Sequence, residues 1–391
     1  MPAESFVQFE ALETQAATLM ERFKAAGYEL VAPSFLQPAG VFLNSLGEAI
    51  RGRTYVFTDL DGEELCLRPD ITVPACRLYL ERHPEADEVA RYCYNGPAFR
   101  YQPHSDNARQ PREFRQAGIE CIATADREET EAEVLALTVE AVRCAGLDDF
   151  RIRLGDMGLF HALIGALHIP ERWRLRLWHY FWRPAAFHDV LHRLAADPET
   201  VLPGVADDLL DALDLEDPAA AEEQVAALLD ELDIPLVGMR TLAEIAERLT
   251  DRAADSREAP LPDATMHLIE SYLAVSGPPR AVAARVADLA EGAGVDLEEA
   301  LGAYQRRLDC FAEKGVDLGN FEFSAEFGRN LEYYTGHVFQ IEVPDAGRAG
   351  QVAGGGRYDE LLLELGAPEK VPAVGCAIHT ERLLAAVGVG S

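Results

Sequence analysis

Acid, hydroxyl, amide, phenol and guanidinium groups recur in this chain at spacings suited to a small polar ligand. In Leu67-Arg68-Pro69-Asp70-Ile71-Thr72 an acid and a hydroxyl stand at a strand-to-helix junction. Asp70 there would pair with an ammonium group, although Asp and Thr before a helix are equally ordinary capping residues. In Glu113-Phe114-Arg115-Gln116-Ala117-Gly118-Ile119-Glu120 the residues Gln116, Gly118 and Glu120 share one strand face at period two. An amide and a carboxylate would project together past a glycine that leaves room for a ligand; a solvated strand face with a bulge glycine gives the same alternation. Gly328 to Gly336 sets Arg329, Tyr333 and Tyr334 beside a glycine turn, where a guanidinium would face an anion and a phenol a heteroaromatic ring. Gly354-Gly355-Gly356-Arg357-Tyr358-Asp359 offers flexible backbone and a following helix N-terminus to an anion. It lacks the Lys-Ser/Thr of a phosphate loop and any dinucleotide pattern, so it is no nucleotide fingerprint. Two arginines complete the set: Arg100 at the end of a strand, and Arg382 in the first turn of a helix after a buried strand.

The elements that must position these groups are legible from periodicity and turn signals. A helix is predicted over Phe6 to Ala26, ended by Gly27 and followed by a short strand at Tyr28-Glu29-Leu30-Val31. Tyr55 to Asp59 and Glu64 to Arg68 flank a turn containing Asp61-Gly62, which reads as a hairpin. A helix follows from Thr72 to Arg82, with Pro74 tolerated in its first turn. Strands are predicted at Ala90 to Tyr94, Ala98 to Tyr101 and Arg112 to Ile122, with a polar loop over Gln102 to Pro111. A helix over Glu128 to Cys144 and a strand over Phe150 to Leu154 come next. From about Gly158 to Lys314 the chain is Ala-, Leu- and Glu-rich with helical periodicity, and strand signals nearly vanish. They return at Asn320 to Phe327, Val338 to Val343 and Ala373 to Ile378, with helices at Asp359 to Leu365 and Thr380 to Val387. Antiparallel strands at both ends of a helical middle imply an α+β protein with one sheet domain built from residues 1–157 and 317–391, and a helical insertion over 158–316.

Composition narrows the partners. With 67 acidic against 35 basic residues, a formal charge of -32 repels polyanions and disfavours long nucleic-acid contacts. No basic region precedes an apolar run at the N-terminus, and no apolar stretch reaches membrane-spanning length. The seven cysteines are scattered and never spaced Cys-x-x-Cys, which fits reduced thiols in a cytoplasm. His188 and His192 share a helix face, but no Glu follows the first and no third ligand is evident, so no metal or other cofactor is expected. Trp173, Trp178 and Trp182 read as core or interface aromatics.

Taken together, the order and spacing of Tyr55-Val56-Phe57 through Asp70, Phe99-Arg100, Glu113 to Glu120, Arg329 to Tyr334, Gly354 to Asp359 and Glu381-Arg382 resemble histidyl-tRNA synthetase, a class II aminoacyl-tRNA synthetase. The resemblance covers about residues 5–155 and 320–388. It implies the class II antiparallel sheet core and a histidine site formed by Asp70, Thr72, Gln116, Glu120, Tyr333, Tyr334 and Tyr358. Arg100, Arg329 and Arg382 would fall on the arginines that handle ATP phosphates and the carboxylate under attack, with Arg329 counted in the histidine site and Arg100 and Arg382 in a vestigial anion site.

Several positions depart from an active synthetase. Asp70 stands for the family's glutamate and Ile71 for its glycine; Gln102 occupies the region of a glutamate that positions ATP; His379-Thr380 replaces a glycine-led approach that makes room for adenine. The chain closes at Ser391, too soon after Arg382 for an anticodon-binding domain, which needs at least about 50 residues. These departures point to a paralogous branch, the regulatory subunits of ATP phosphoribosyltransferase, which act in the first step of histidine biosynthesis with a short-form catalytic subunit and take part in histidine feedback. The resemblance therefore implies a non-catalytic subunit without tRNA or membrane partners, with histidine as a ligand and a homodimer within a larger hetero-oligomer. The alternative is a stand-alone enzyme that forms histidyl-adenylate and passes it to a non-tRNA acceptor.

Overall fold

The computed structural model describes residues 5–45, 51–102, 111–181, 183–196, 213–214, 217–231, 241–328, 333–344 and 350–388. The chain forms two compact units, one of Met1–Ala166 with Ser271–Ser391 and a second of Leu167–Glu270.

In the first unit α1 (Phe6–Ala25) starts where Ser5 Oγ accepts the Gln8 amide, and it gives way at Gly27, whose φ of +88° suits glycine. After β1 (Glu29–Leu30) come β2 (Leu36–Pro38), α2 (Ala39–Ser45), and the hairpin of β3 (Tyr55–Thr58) and β4 (Glu64–Leu67). Strands β2, β4 and β3 form a small antiparallel sheet. Helix α3 (Thr72–Arg82) has the bounds its sequence predicts. The strand β5 (Ala90–Phe99) runs unbroken where sequence suggests two pieces, because Pro97 faces no partner strand on its outer side: β1 pairs only with Tyr92 and Cys93. A missing N–H costs nothing at such an edge. Then follow β6 (Glu113–Ile122), α4 (Arg127–Cys144), β7 (Arg151–Asp156) and α5 (Met157–Ala166). Asp126 caps α4 by accepting the Glu129 amide, and Glu128 and Glu129 in its first turn suit the helix dipole.

The second unit holds α6 (Glu171–Tyr180), α7 (Pro184–Ala195), α8 (Pro218–Glu231) and α9 (Leu242–Ser256). Leu213, Ala221, Val225, Ala246 and Ala253 make a core between α8 and α9. After α10 (Asp263–Leu273) the first unit resumes with β8 (Ser276–Gly277), α11 (Pro279–Ala293), α12 (Glu298–Glu313), β9 (Phe321–Ser324), β10 (His337–Glu342), β11 (Gln351–Arg357), α13 (Leu361–Glu364), β12 (Ala373–His379) and α14 (Thr380–Ala386). The second unit is thus narrower than the 158–316 stretch expected from composition. The physical reason is α12, which packs on α4 and ties in through buried Arg307, paired with Glu131 and Asp156.

The strands of the first unit form a nine-stranded sheet in the order β1-β5-β6-β12-β11-β10-β7-β9-β8. Among the described residues, only β1 with β5 and β7 with β9 pair in parallel. Residues opposite one another in antiparallel strands point the same way. The register Gly96↔Gln116, Tyr94↔Gly118, Gly118↔Ala377, Glu120↔Gly375, Gly375↔Gly356 and Ala377↔Gly354 therefore puts Tyr94, Gln116 and Glu120 on one face among a run of glycines. The opposite face carries Arg357 and Cys376 against α4, through Glu131 and Thr138.

Gly354, Gly355 and Gly356 lie inside β11, not in the flexible anion-binding loop that their sequence suggests. Close packing explains them. A Cβ on Gly355 would stand 2.1 Å from the Gly375 carbonyl oxygen, and one on Gly356 would meet the Tyr334 ring at 2.9 Å.

Candidate ligand-binding site

The glycine-lined face is a floor onto which larger side chains fold. A Cβ on Gly118 would lie 2.5 Å from the Tyr94 hydroxyl, and one on Gly375 would lie 1.6 Å from Glu120 Oε2. The space that sequence reserves for a ligand beside Gly118 is thus taken by the phenol of Tyr94. Gly96 makes room for Arg68, whose guanidinium is buried and donates to the carbonyls of Pro97 at 2.8 Å and Pro33 at 2.7 Å. Arg68 stacks over Phe35 at 4.5 Å, and burial lowers its pKa to about 10. It fixes the turn that delivers Asp70.

Glu120 is fully buried. Its carboxylate accepts from the hydroxyl of Tyr94 at 2.9 Å and from that of Tyr358. Burial pushes its carboxyl up to about 7; the hydroxyls of Tyr358, Thr72 and Tyr94 oppose that rise and the nearby charge of Asp70 adds to it. Asp70 is 3% exposed. Its Oδ1 accepts the Val73 amide at 3.2 Å and so braces the first turn of α3, while Oδ2 has no hydrogen-bond partner among the described residues. Burial raises its carboxyl pKa against the pull of Arg100 and Arg68. Gln116, also 3% exposed, leaves Oε1 without a partner among the described residues.

Three phenols close the cluster. The rings of Tyr333 and Tyr334 lie 4.8 Å apart, and those of Tyr333 and Tyr358 5.7 Å apart. Asp70, Glu120 and Tyr94 all act electrostatically on Tyr333, which places it with the acids. Thr72 and Cys76 sit one turn apart at the start of α3; burial above all, then Glu120 and Asp70, raise the Cys76 thiol pKa, and Tyr358 opposes the rise, which places the thiol in the same group. The structure therefore gathers Asp70, Thr72, Glu120, Tyr333 and Tyr358 into one buried polar group, with Tyr334 against Tyr358 at 6.5 Å and Gln116 on the same face. Arg329 lies outside the described residues.

Tyr94 and Cys76 belong to the group and escaped the sequence reading. Tyr94 looks like any strand former until its register opposite Gly118 is known, and Cys76 is signalled only by its i+4 spacing from Thr72.

Arg100 and Arg382 stand toward the other end of the same strands. Arg100 Nε donates to the Pro69 carbonyl at 2.8 Å, and its guanidinium lies 5.1 Å from the Phe114 ring centre. That ring also meets His379 at 5.2 Å. Arg382 donates to the Gln351 carbonyl at 3.0 Å, and Glu381 accepts the Arg115 amide at 2.6 Å.

Behind the sheet, a buried ion network locks the strand that carries Tyr358. Arg357 pairs with Glu131 and Asp359, and Arg307 with Glu131 and Asp156. Burial alone would raise the Glu131 carboxyl, but Arg307 and Arg357 outweigh it and hold it at about 2. Because Arg357 points backward, Tyr358 is left to reach Glu120. Among the described residues no group of His, Cys, Asp and Glu could hold a metal ion, and no helix is long and apolar enough to cross a membrane.

A mostly antiparallel sheet with helices behind one face is the fold of class II aminoacyl-tRNA synthetase-like proteins, and the family model matched by this chain makes it of the histidyl type. The histidyl-tRNA synthetase family model matches residues 6–256 and 200–383. Among solved structures, an ATP phosphoribosyltransferase regulatory subunit/histidyl-tRNA synthetase of Bacillus halodurans superposes with a TM-score of 0.69 at 19% identity, covering 99% of this chain and 82% of that one. The histidyl-tRNA synthetase of a Nostoc species gives 0.63 at 16%, covering 100% and 76%. Sequence relatives are closer. The ATP phosphoribosyltransferase regulatory subunit of Agrobacterium fabrum is 35% identical over 375 residues, which is 95% of this chain and 96% of that protein. The one from Rhizobium etli is 34% identical over 374 residues, 94% and 96% of the two chains. The chain belongs to the family of ATP phosphoribosyltransferase regulatory subunits.

Proposed function

We propose that this chain is the non-catalytic regulatory subunit of an ATP phosphoribosyltransferase in histidine biosynthesis, that a short-form catalytic subunit requires it for activity, and that histidine bound on its sheet face carries feedback to that partner. The observation that supports the histidine site is the pair of buried oxygens without partners among the described residues, Asp70 Oδ2 and Gln116 Oε1, beside a Glu120 carboxyl whose pKa burial raises to about 7. Buried polar atoms normally find partners. A ligand bearing an ammonium group and a ring N–H would supply donors to Asp70, Gln116 and Glu120, and its positive charge would draw both carboxyls back toward ionisation.

ATP chemistry fits the same face poorly. Phe114 is already engaged by Arg100 and His379, so a nucleobase has no ready aromatic surface there. Feedback then amounts to a coupling free energy between this pocket and the partner's site, of order 1–3 kcal/mol in such systems. The half-exposed Phe35, Leu36, Val56 and Phe57 around the small sheet suit burial against a second copy, in keeping with a homodimer inside the mixed assembly.

The test mixes the chain with a short-form catalytic subunit and follows phosphoribosyl transfer with and without histidine. A rate increase on mixing, reversed by histidine and no longer reversed in Tyr358→Phe, is expected. No complex and no rate change, or robust histidine-dependent ATP–pyrophosphate exchange by the chain alone, would reject the reading.

A further inference from the structure

The second unit holds a cavity of about 510 Å³ walled by α6, α7, α9 and the segment that follows α9. Its size is in the range of small-molecule sites. Val190, Leu194 and Pro260 give it an apolar side together with the ring of Tyr180. Its polar side sets Arg176, Arg193, Arg248 and Arg252 against Asp251, Asp255 and Glu258.

Those acids are already served. Asp255 accepts from Arg172 Nε at 2.8 Å, Trp173 Nε1 at 2.6 Å and Arg176 Nη1 at 2.5 Å. Arg172 also reaches Glu258 at 3.0 Å, and Arg176 lies 3.5 Å from Asp251. Arg172 and Arg176 thereby offset two of the three carboxylate charges on that side. Arg193 spends its Nε on the Asp189 carbonyl at 3.1 Å, and neither it nor Arg248 nor Arg252 has a carboxylate partner among the described residues. Arg248 and Arg252 are four residues apart on α9 and so share one face of it. Three guanidinium groups, with Arg193 and Arg248 exposed and Arg252 half-buried, thus face one remaining carboxylate charge around this cavity, in a chain whose formal charge is -32.

We propose that this cavity binds a small phosphorylated anion carrying at least two negative charges. The guanidinium fork matches phosphate oxygens two at a time, and three arginines that have no carboxylate partner among the described residues, set against the one carboxylate charge left over, can offset about two negative charges. Tyr180 and the apolar wall leave surface for a ring, so nucleotides and bare pyrophosphate share the recognised chemistry and differ in that contact. The site is distinct from the acid-and-phenol cluster and stands whether or not histidine binds there.

The test titrates the whole chain calorimetrically with ATP, AMP and inorganic pyrophosphate at low and high salt, beside Arg248→Ala/Arg252→Ala and Arg252→Lys. Binding that weakens with salt and falls about tenfold for each guanidinium removed is expected, with Arg252→Lys keeping part of the affinity. ATP far tighter than pyrophosphate assigns the ring to Tyr180; equal affinities assign recognition to phosphate alone. Arg252→Lys preserves the charge and keeps the test open should the double variant fail to fold. No binding of any probe would overturn the proposal, as would binding that withstands every substitution in this cavity but disappears in Arg100→Ala.

Discussion

Replacing Glu120 by glutamine separates its charge from its shape. In the folded chain its carboxyl is raised from 4.5 to about 7. A raised carboxyl holds its proton more tightly folded than unfolded, so this group's contribution to stability is complete below pH 4.5 and declines as pH rises through about 7. At about 1.4 kcal/mol per unit, that decline amounts to about 3 kcal/mol. Glu120→Gln removes the titration. It also alters the hydrogen bonds from Tyr94 and Tyr358, an offset of about 1–3 kcal/mol that is the same at every pH. Urea unfolding of both proteins at intervals from pH 4.5 to 8 should show the stability difference shifting toward the variant by about 3 kcal/mol across that range. Two parallel profiles, with one constant difference at every pH, would refute the claim that burial and not hydrogen bonding governs Glu120.

Other perturbations reach the framework around it. Glu131→Gln leaves buried Arg307 and Arg357 without their shared carboxylate and should cost about 3–5 kcal/mol in urea unfolding. Gly375→Ala puts a methyl where Glu120 Oε2 lies, so it should destabilise the fold by about 1–3 kcal/mol and weaken histidine binding by at least about tenfold, both measurable on one preparation. Tyr358→Phe removes a donor that favours the ionised carboxylate, so the Glu120 titration followed by NMR should move to higher pH.

Local chemistry made part of this architecture legible in sequence. Helix α3 keeps its predicted bounds because its start and its run of good formers are local signals, and the hairpin of β3 and β4 follows from Asp61-Gly62, where Gly62 takes a φ of +89°. Asp70, Thr72, Gln116 and Glu120 were nameable because strand period and helix junction are also local. The glycines of β11 read as a loop in sequence, since what they accommodate, Tyr334 and the β12 backbone, comes from other parts of the chain. Tyr94 and the network of Arg307, Glu131 and Arg357 stayed hidden for the same reason: each is defined by a partner on another strand or helix, and no spacing along the sequence encodes that meeting.

The proposed histidine site on the sheet face rests on its buried acids, Asp70 and Glu120. Calorimetric titration of the whole chain with histidine, set beside Asp70→Asn, tests it most directly. Saturable binding that tightens as pH rises toward 7 is expected, because Glu120 must give up its proton, with a loss of at least about tenfold in Asp70→Asn, whose Oδ2 position no longer offers a carboxylate. No heat from the unmodified chain, or equal affinity in the two proteins, would contradict it.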